Sequence, residues 1–181
     1  GSGQNRELWV GGNNAGSGAL VLKGNAAWTN SALNASTDVI IGRTSGSGQS
    51  PSGTLTILDN ANFVVQTGAA AAKVIQLAGG PNDGATGTIN MGGGTISTIG
   101  FQRARSGSTG TINITNGTMV ALAANANFFN NFSGTGGNNS VNLAGGTLTF
   151  DTAGNAVTIA NVLSGSGGLT KRGANTLTLS G

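Results

Sequence analysis

A short unit recurs along this chain, and that recurrence restricts the possible folds more than any other property. Taking the first apolar residue after each Gly-Thr-like step gives Leu20, Leu55, Ile89, Ile112, Val141 and Leu169. The intervals between them are 35, 34, 23, 29 and 28 residues. A period in this range, with apolar residues alternating rather than clustering, points to a solenoid whose units bury their apolar faces only against their neighbours. The expectation is one elongated domain across residues 1–181, not several globules.

Each unit reads as three extended segments. The first is Gly53-Thr54-Leu55-Thr56-Ile57, repeated as Gly87-Thr88-Ile89-Asn90-Met91, Gly110-Thr111-Ile112-Asn113-Ile114 and Ser140-Val141-Asn142-Leu143. Apolar and polar residues alternate with period two, the mark of a half-buried strand. Thr56, Asn90, Asn113 and Asn142 are therefore expected to face outward, one per unit. A turn follows at Asp59-Asn60, Gly92-Gly93-Gly94, Asn116-Gly117 and Gly145-Gly146, residues that corner at low steric cost. The second segment is anchored at Trp28, Phe63, Ile96, Met119, Leu148 and Leu177, seven or eight residues after the first anchor. The third is looser: Leu8-Trp9-Val10, Val39-Ile40-Ile41, Val74-Ile75-Gln76-Leu77, Phe128-Phe129 and Val157-Thr158-Ile159. Helical signals are confined to Ala69–Ala72 and Ala121–Ala126. Three strands per turn stacked in parallel predict an all-β fold, a right-handed three-faced parallel β-helix of about six coils, roughly 30 Å long.

Composition narrows the function classes. The 34 glycines of 181 residues do not recur at every third position, so a collagen helix is excluded. Charged residues make up only 7% beside regularly spaced Leu, Ile and Val, the reverse of a disordered signature. The net charge of +3, from 8 basic and 5 acidic residues, forms no basic stripe interleaved with aromatics, which argues against nucleic acid. There is no cysteine, consistent with export through an oxidising compartment. No stretch approaches the ~18 apolar residues of a membrane-spanning helix. Gly1-Ser2-Gly3 is either a cloning scar or native loop, and the chain stops inside its own repeat pattern; the expectation is a fragment of a longer protein.

Chemistry finds little to work with. Without His or Cys, the Ser-His-Asp and Cys-His systems and the imidazole and thiolate metal sites are absent. The acids Glu7, Asp38, Asp59, Asp83 and Asp151 are scattered over separate units, not paired as a glycosidase requires. Gly92-Gly93-Gly94 and Gly79-Gly80-Pro81-Asn82-Asp83 lack the recurring Asp of calcium-binding rolls. No enzyme activity, cofactor or metal is expected. The outward Thr/Asn column could bind ice or sugars, but any exposed β-helix face needs polar residues, and stacked Asn side chains stabilise a ladder. Asn-x-Ser/Thr triplets at Asn34, Asn113, Asn116, Asn131 and Asn138 arise readily in so Asn-rich a chain. The candidate contact residues are Phe128 and Phe129, of which a regular strand would turn one outward, and the loop pair Arg103 and Arg105.

The closing stretch Ser164-Gly165-Ser166-Gly167-Gly168-Leu169-Thr170-Lys171-Arg172-Gly173-Ala174-Asn175-Thr176-Leu177-Thr178-Leu179-Ser180-Gly181 resembles the autotransporter-associated β-strand repeat, roughly G-S-G-G-L-T-K-x-G-x-G-T-L-T-L-S-G. Asn175 stands where Gly is usual, a mild change because Asn tolerates the left-handed region. The match covers residues 164–181; the preceding residues resemble autotransporter passenger β-helices more loosely. The resemblance implies a passenger exported by an outer-membrane translocator barrel of the same parent chain, with the repeat assisting export. The functional expectation is a structural stalk at the bacterial cell surface or in the extracellular space. The alternative is an adhesin or self-association module whose loops contact host glycans, matrix or sister molecules.

Overall fold

The computed structural model describes residues 7–12, 15–30, 39–65, 73–134 and 138–181. Among them there is no helix, and each of the strand pairings is parallel. Ala121 ends a strand and Asn125 bridges Val157, so the helical turn expected at Ala121–Ala126 does not form. Ala69–Ala72 lie outside the described residues.

Among the described residues, the strands, numbered in chain order as β1–β17, fall into three bands and one further pair. The first contains β1 (Leu8–Gly12), β4 (Val39–Arg43), β7 (Ile75–Gly79), β9 (Phe101–Arg103) and β11 (Phe129–Asn130), hydrogen-bonded in that order. The second contains β2 (Ser17–Leu22), β5 (Ser52–Ile57), the first halves of β8 (Thr86–Thr98) and β10 (Thr109–Ala121), β12 (Val141–Leu143) and β15 (Leu163–Gly165). The third contains β3 (Ala27–Thr29), β6 (Asn62–Val64), the second halves of β8 and β10, β13 (Thr147–Asp151) and β16 (Gly168–Arg172). Finally, β14 (Val157–Ile159) pairs with β17 (Leu177–Leu179). The Phe128 N–H bond to the Thr158 carbonyl, at 3.0 Å, ties β14 to the first band. The chain visits the bands in turn, so β1 pairs with β4, β2 with β5 and β3 with β6. This order is compatible with a β-solenoid.

Alternation does the sorting. In β5, Leu55 and Ile57 are buried while Thr54 and Thr56 are half-exposed. Pairing in register stacks the inward residues into columns: Leu20, Leu55, Ile89, Ile112, Val141 and Leu163 form one, and Leu22, Ile57, Met91, Ile114 and Leu143 the next. The last anchor is thus Leu163, not Leu169 as the repeat spacing suggests. Leu169 pairs with Leu148 in the third band, and Leu177 pairs with Val157 on β17. The reason is local: only Ser166-Gly167 separates β15 from β16, so the Gly-Ser-Gly-Gly that precedes Leu169 opens the second strand of its layer. Leu148 is likewise displaced, because Met119 pairs with Phe150. Strand β9, read from sequence as loop, continues the column Leu8, Val39, Ile75, Phe101 and Phe129.

The Gly of each Gly-Thr step has a specific steric cause. It occupies an inward strand position where the first band passes against the second, backbone against backbone at Gly53 and Gly87. A Cβ at Gly53 would lie 1.9 Å from the Val10 carbonyl oxygen, and one at Gly87 2.2 Å from that of Ile41. At Gly110 the nearest atoms are Arg103 Cγ at 3.2 Å and Leu77 Cβ at 3.3 Å, both side chain. Gly87→Ala is therefore expected to destabilise by about 3 kcal/mol through overpacking against backbone. Gly110→Ala is expected to stay within about 1 kcal/mol, because side-chain carbons 3.2–3.4 Å away need give only a few tenths of an ångström and Ala restrains the unfolded chain. Urea midpoints of the two variants check the contrast, and equal losses would remove the steric account.

Candidate functional site

The four candidate contact residues do not assemble into a surface. Phe128 and Phe129 are both 0% exposed, so the expectation that one points outward is overturned. Strand β11 is only two residues long, and Phe128 precedes it in a bend whose carbonyl accepts from the Phe101 N–H at 2.7 Å. An Asn125 side chain sets that bend: Oδ1 accepts from the Asn127 N–H at 2.8 Å while Nδ2 donates to the Ile99 carbonyl at 2.6 Å. Asn131, at φ 67°, turns the chain away on the other side. Without a regular strand, alternation does not apply, and both rings enter the core. Phe129 stacks on Phe101 at 5.4 Å between centroids, and Phe128 meets Phe150 edge-on at 4.9 Å.

Arg103 is no loop residue either. It lies on β9, 9% exposed, in the column of Val10, Ile41 and Leu77. Its Nε donates to the Asn131 carbonyl at 2.7 Å, and Nη1 donates to the carbonyls of Ser106 at 3.0 Å, Ser108 at 3.3 Å and Arg105. Arg105 is exposed and spans to the Gly80 carbonyl, 2.9 Å from its Nε. The most exposed aromatic is Trp9 on β1, at 41%, with the Arg43 guanidinium 3.8 Å from its ring centroid. Trp28 stacks on Phe63 at 4.5 Å.

Glu7, Asp59 and Asp83 are exposed, Asp151 is half-buried, and Asp38 lies outside the described residues, as does Asn34. Asp59 Oδ2 accepts from the Gly24 N–H at 2.8 Å, Asp83 Oδ1 from that of Gly107 at 3.3 Å, and Asp151 Oδ1 from that of Ala153 at 2.8 Å. All three act as turn staples. No group of three or more metal-ligating side chains occurs among the described residues. Asn175, at φ 71°, occupies the left-handed region, as its place in the Gly-rich closing stretch requires.

The outward surface is more regular than sequence suggested. Asn113 Nδ2 donates to Asn90 Oδ1 at 3.0 Å and Asn142 Nδ2 to Asn113 Oδ1 at 3.5 Å, forming the expected ladder. Beside it, Thr54, Thr88 and Thr111 align in a second column. Across the corner, Thr95, Thr118, Thr149 and Thr170 align in another. Following one outward residue per unit misses these columns, although Thr54, Thr88 and Thr111, each after the Gly of a Gly-Thr step, mark the first of them in the sequence.

Beside the Thr95 column runs a groove of about 340 Å³. It is lined by the turn residues Asp59, Asn60 and Asn116, by Gly93, Gly94 and Gly117, and by Thr95, Thr118 and Thr149. The recess exists because one layer turns on three glycines while its neighbours turn on side chains. Gly94, at φ 65°, has the Ala61 carbonyl oxygen 2.3 Å from where a Cβ would sit, so that layer cannot carry a side chain there. No aromatic ring and no basic group lines the groove. The chain matches no known family, no curated protein and no solved structure.

Proposed function

We propose that this segment is a structural stalk: a right-handed, three-faced parallel β-helix of about six coils within a surface-displayed or secreted passenger. The observation that carries this reading is the uninterrupted core. Inward columns run from β2 to β15, and the outward positions from β5 onward are occupied by Thr, Ser and Asn, with Ala19 and Val21 in their place on β2. Such a body gives reach and resistance to proteolysis without an active centre, because each layer is held by its neighbours. The likeness of residues 164–181 to the autotransporter-associated repeat supports export by an outer-membrane barrel and a location at the bacterial surface. The staple roles of Asp59, Asp83 and Asp151 support a non-enzymatic reading.

The test is an in-frame deletion of residues 16–181 from the parent passenger, with surface-exposed passenger and adhesion per displayed molecule measured separately. The expected result is a display loss of about tenfold or more, equivalent to about 1.4 kcal/mol on a two-state scale. Unchanged display with reduced adhesion would overturn the stalk in favour of an adhesive module.

A further inference from the structure

We propose that the groove between the Thr95 column and the Asp59/Asn116 turns is a binding site for an extended neutral glycan lying along the stack. This goes beyond the stalk reading and does not depend on it. The donor set is the first argument. Thr95, Thr118 and Thr149 present one hydroxyl per layer, and among the described residues these hydroxyls form no side-chain hydrogen bond. Asn116 Oδ1 is occupied by the Gly117 N–H at 3.0 Å, which leaves its Nδ2 as a donor. Asp59 Oδ2 is occupied by Gly24, which leaves Oδ1 as an acceptor. The recess thus offers both donors and acceptors, as a ligand rich in hydroxyls requires.

Charge selects further. A carboxylate with no basic group beside it disfavours phosphate, sulfate and acidic sugars. A single free carboxylate oxygen is a poor cage for calcium, which takes six to eight oxygens. The lining is too polar for an apolar small molecule. Geometry then sets the ligand's form. The lining residues come from four successive layers, Asp59 to Thr149, about 14 Å at the spacing of paired strands. A β-1,4-linked glycan in extended form advances by a comparable distance per sugar, placing about one ring against each layer. Without an aromatic platform the affinity is expected to be weak, with Kd on the order of 1 mM.

The test is a titration of the isotopically labelled 181-residue chain with cellohexaose, followed by amide shifts in ¹H–¹⁵N spectra. The expected result is saturable shifts at Gly93, Gly94, Gly117 and the Asn60 and Asn116 side chains. The double variant T118V/T149V removes two hydroxyls at nearly constant volume and should weaken binding by about tenfold or more. Asn116→Ala, which removes the Nδ2 donor from the lining, should weaken it independently. Equal thermal melting of the variants shows that the stack is intact. No shifts at about 10 mM hexamer, ten times the expected constant, would overturn the site. So would shifts at the Trp9 indole instead of the groove, or groove shifts on adding calcium chloride alone. Because the readout is binding to the isolated chain, loss of the stalk reading in the deletion experiment leaves this result unaffected.

Discussion

Phe129→Ala is expected to remove about 3–5 kcal/mol of stability, the range for deleting a fully buried aromatic ring. Phe129 lies at the centre of a cluster whose members come from three segments, β9, residues 128–132 and β13. It stacks on Phe101, meets Phe128 edge-on at 5.1 Å and Phe132 at 6.3 Å. Phe128 in turn reaches Phe150 on the third band, so the cluster joins bands as well as layers. The column it completes starts with Leu8, Val39 and Ile75, which means the aromatic half of the stack continues an aliphatic one. Truncation opens a cavity that neighbouring rings, fixed edge-to-face, fill poorly. Phe129→Leu should recover more than half of the loss, because it keeps most of the volume. Urea unfolding of both variants provides the measurement, and a loss below about 1 kcal/mol for Phe129→Ala would contradict the buried cluster.

Arg103→Ala is the second large effect, expected at about 3 kcal/mol. The side chain sits where Val10, Ile41 and Leu77 place aliphatics in the layers before it, and it compensates with hydrogen bonds instead of a counter-ion. Four backbone carbonyls converge on its guanidinium, those of Arg105, Ser106, Ser108 and Asn131. Asn131 closes the arrangement by donating from Nδ2 to the Arg103 carbonyl at 3.3 Å. The planar fork spans the 105–108 turn and the next layer at once, which a lysine ammonium cannot reproduce. Arg103→Met separates the two contributions: it fills the column but leaves the carbonyls without their donor, each at about 1–3 kcal/mol if buried. Wild-type stability in Arg103→Met would show that packing alone holds this corner, and the hydrogen-bonded account would fall.

Much of the fold is legible in the sequence because alternation is a local signal. The Leu55/Ile57 pattern and its copies identify the inward columns without reference to anything distant. The third segment is harder, and β9 shows why: Phe101-Gln102-Arg103 has only one apolar residue, and its buried Arg looks like a loop charge until its carbonyl partners are known. The closing layer misleads for the opposite reason. Its Gly-Ser-Gly-Gly-Leu-Thr is a good match to a first strand, yet β15 already holds that place through Leu163, whose neighbours Val162 and Ser164 are unremarkable. Phe128 and Phe129 fail by geometry, since the Asn125 and Asn131 turns break the alternation on which the outward assignment rests. The groove was out of reach. Its lining is contributed by turns of different length, and a recess made by missing side chains has no periodic signature.

The unequal spacing of paired positions has a thermodynamic corollary. Leu20 to Leu55 spans 35 residues and Ile89 to Ile112 spans 23, yet both pairs hold the same column. The surplus chain resides in the links between strands, where closing a loop costs only about 0.6 kcal/mol for each doubling of its length. Insertions in those links are cheap, while a one-residue insertion inside a strand would reverse every side chain beyond it. Variation between descendants of such a chain should therefore accumulate as links of new length and composition hung on an unchanged frame.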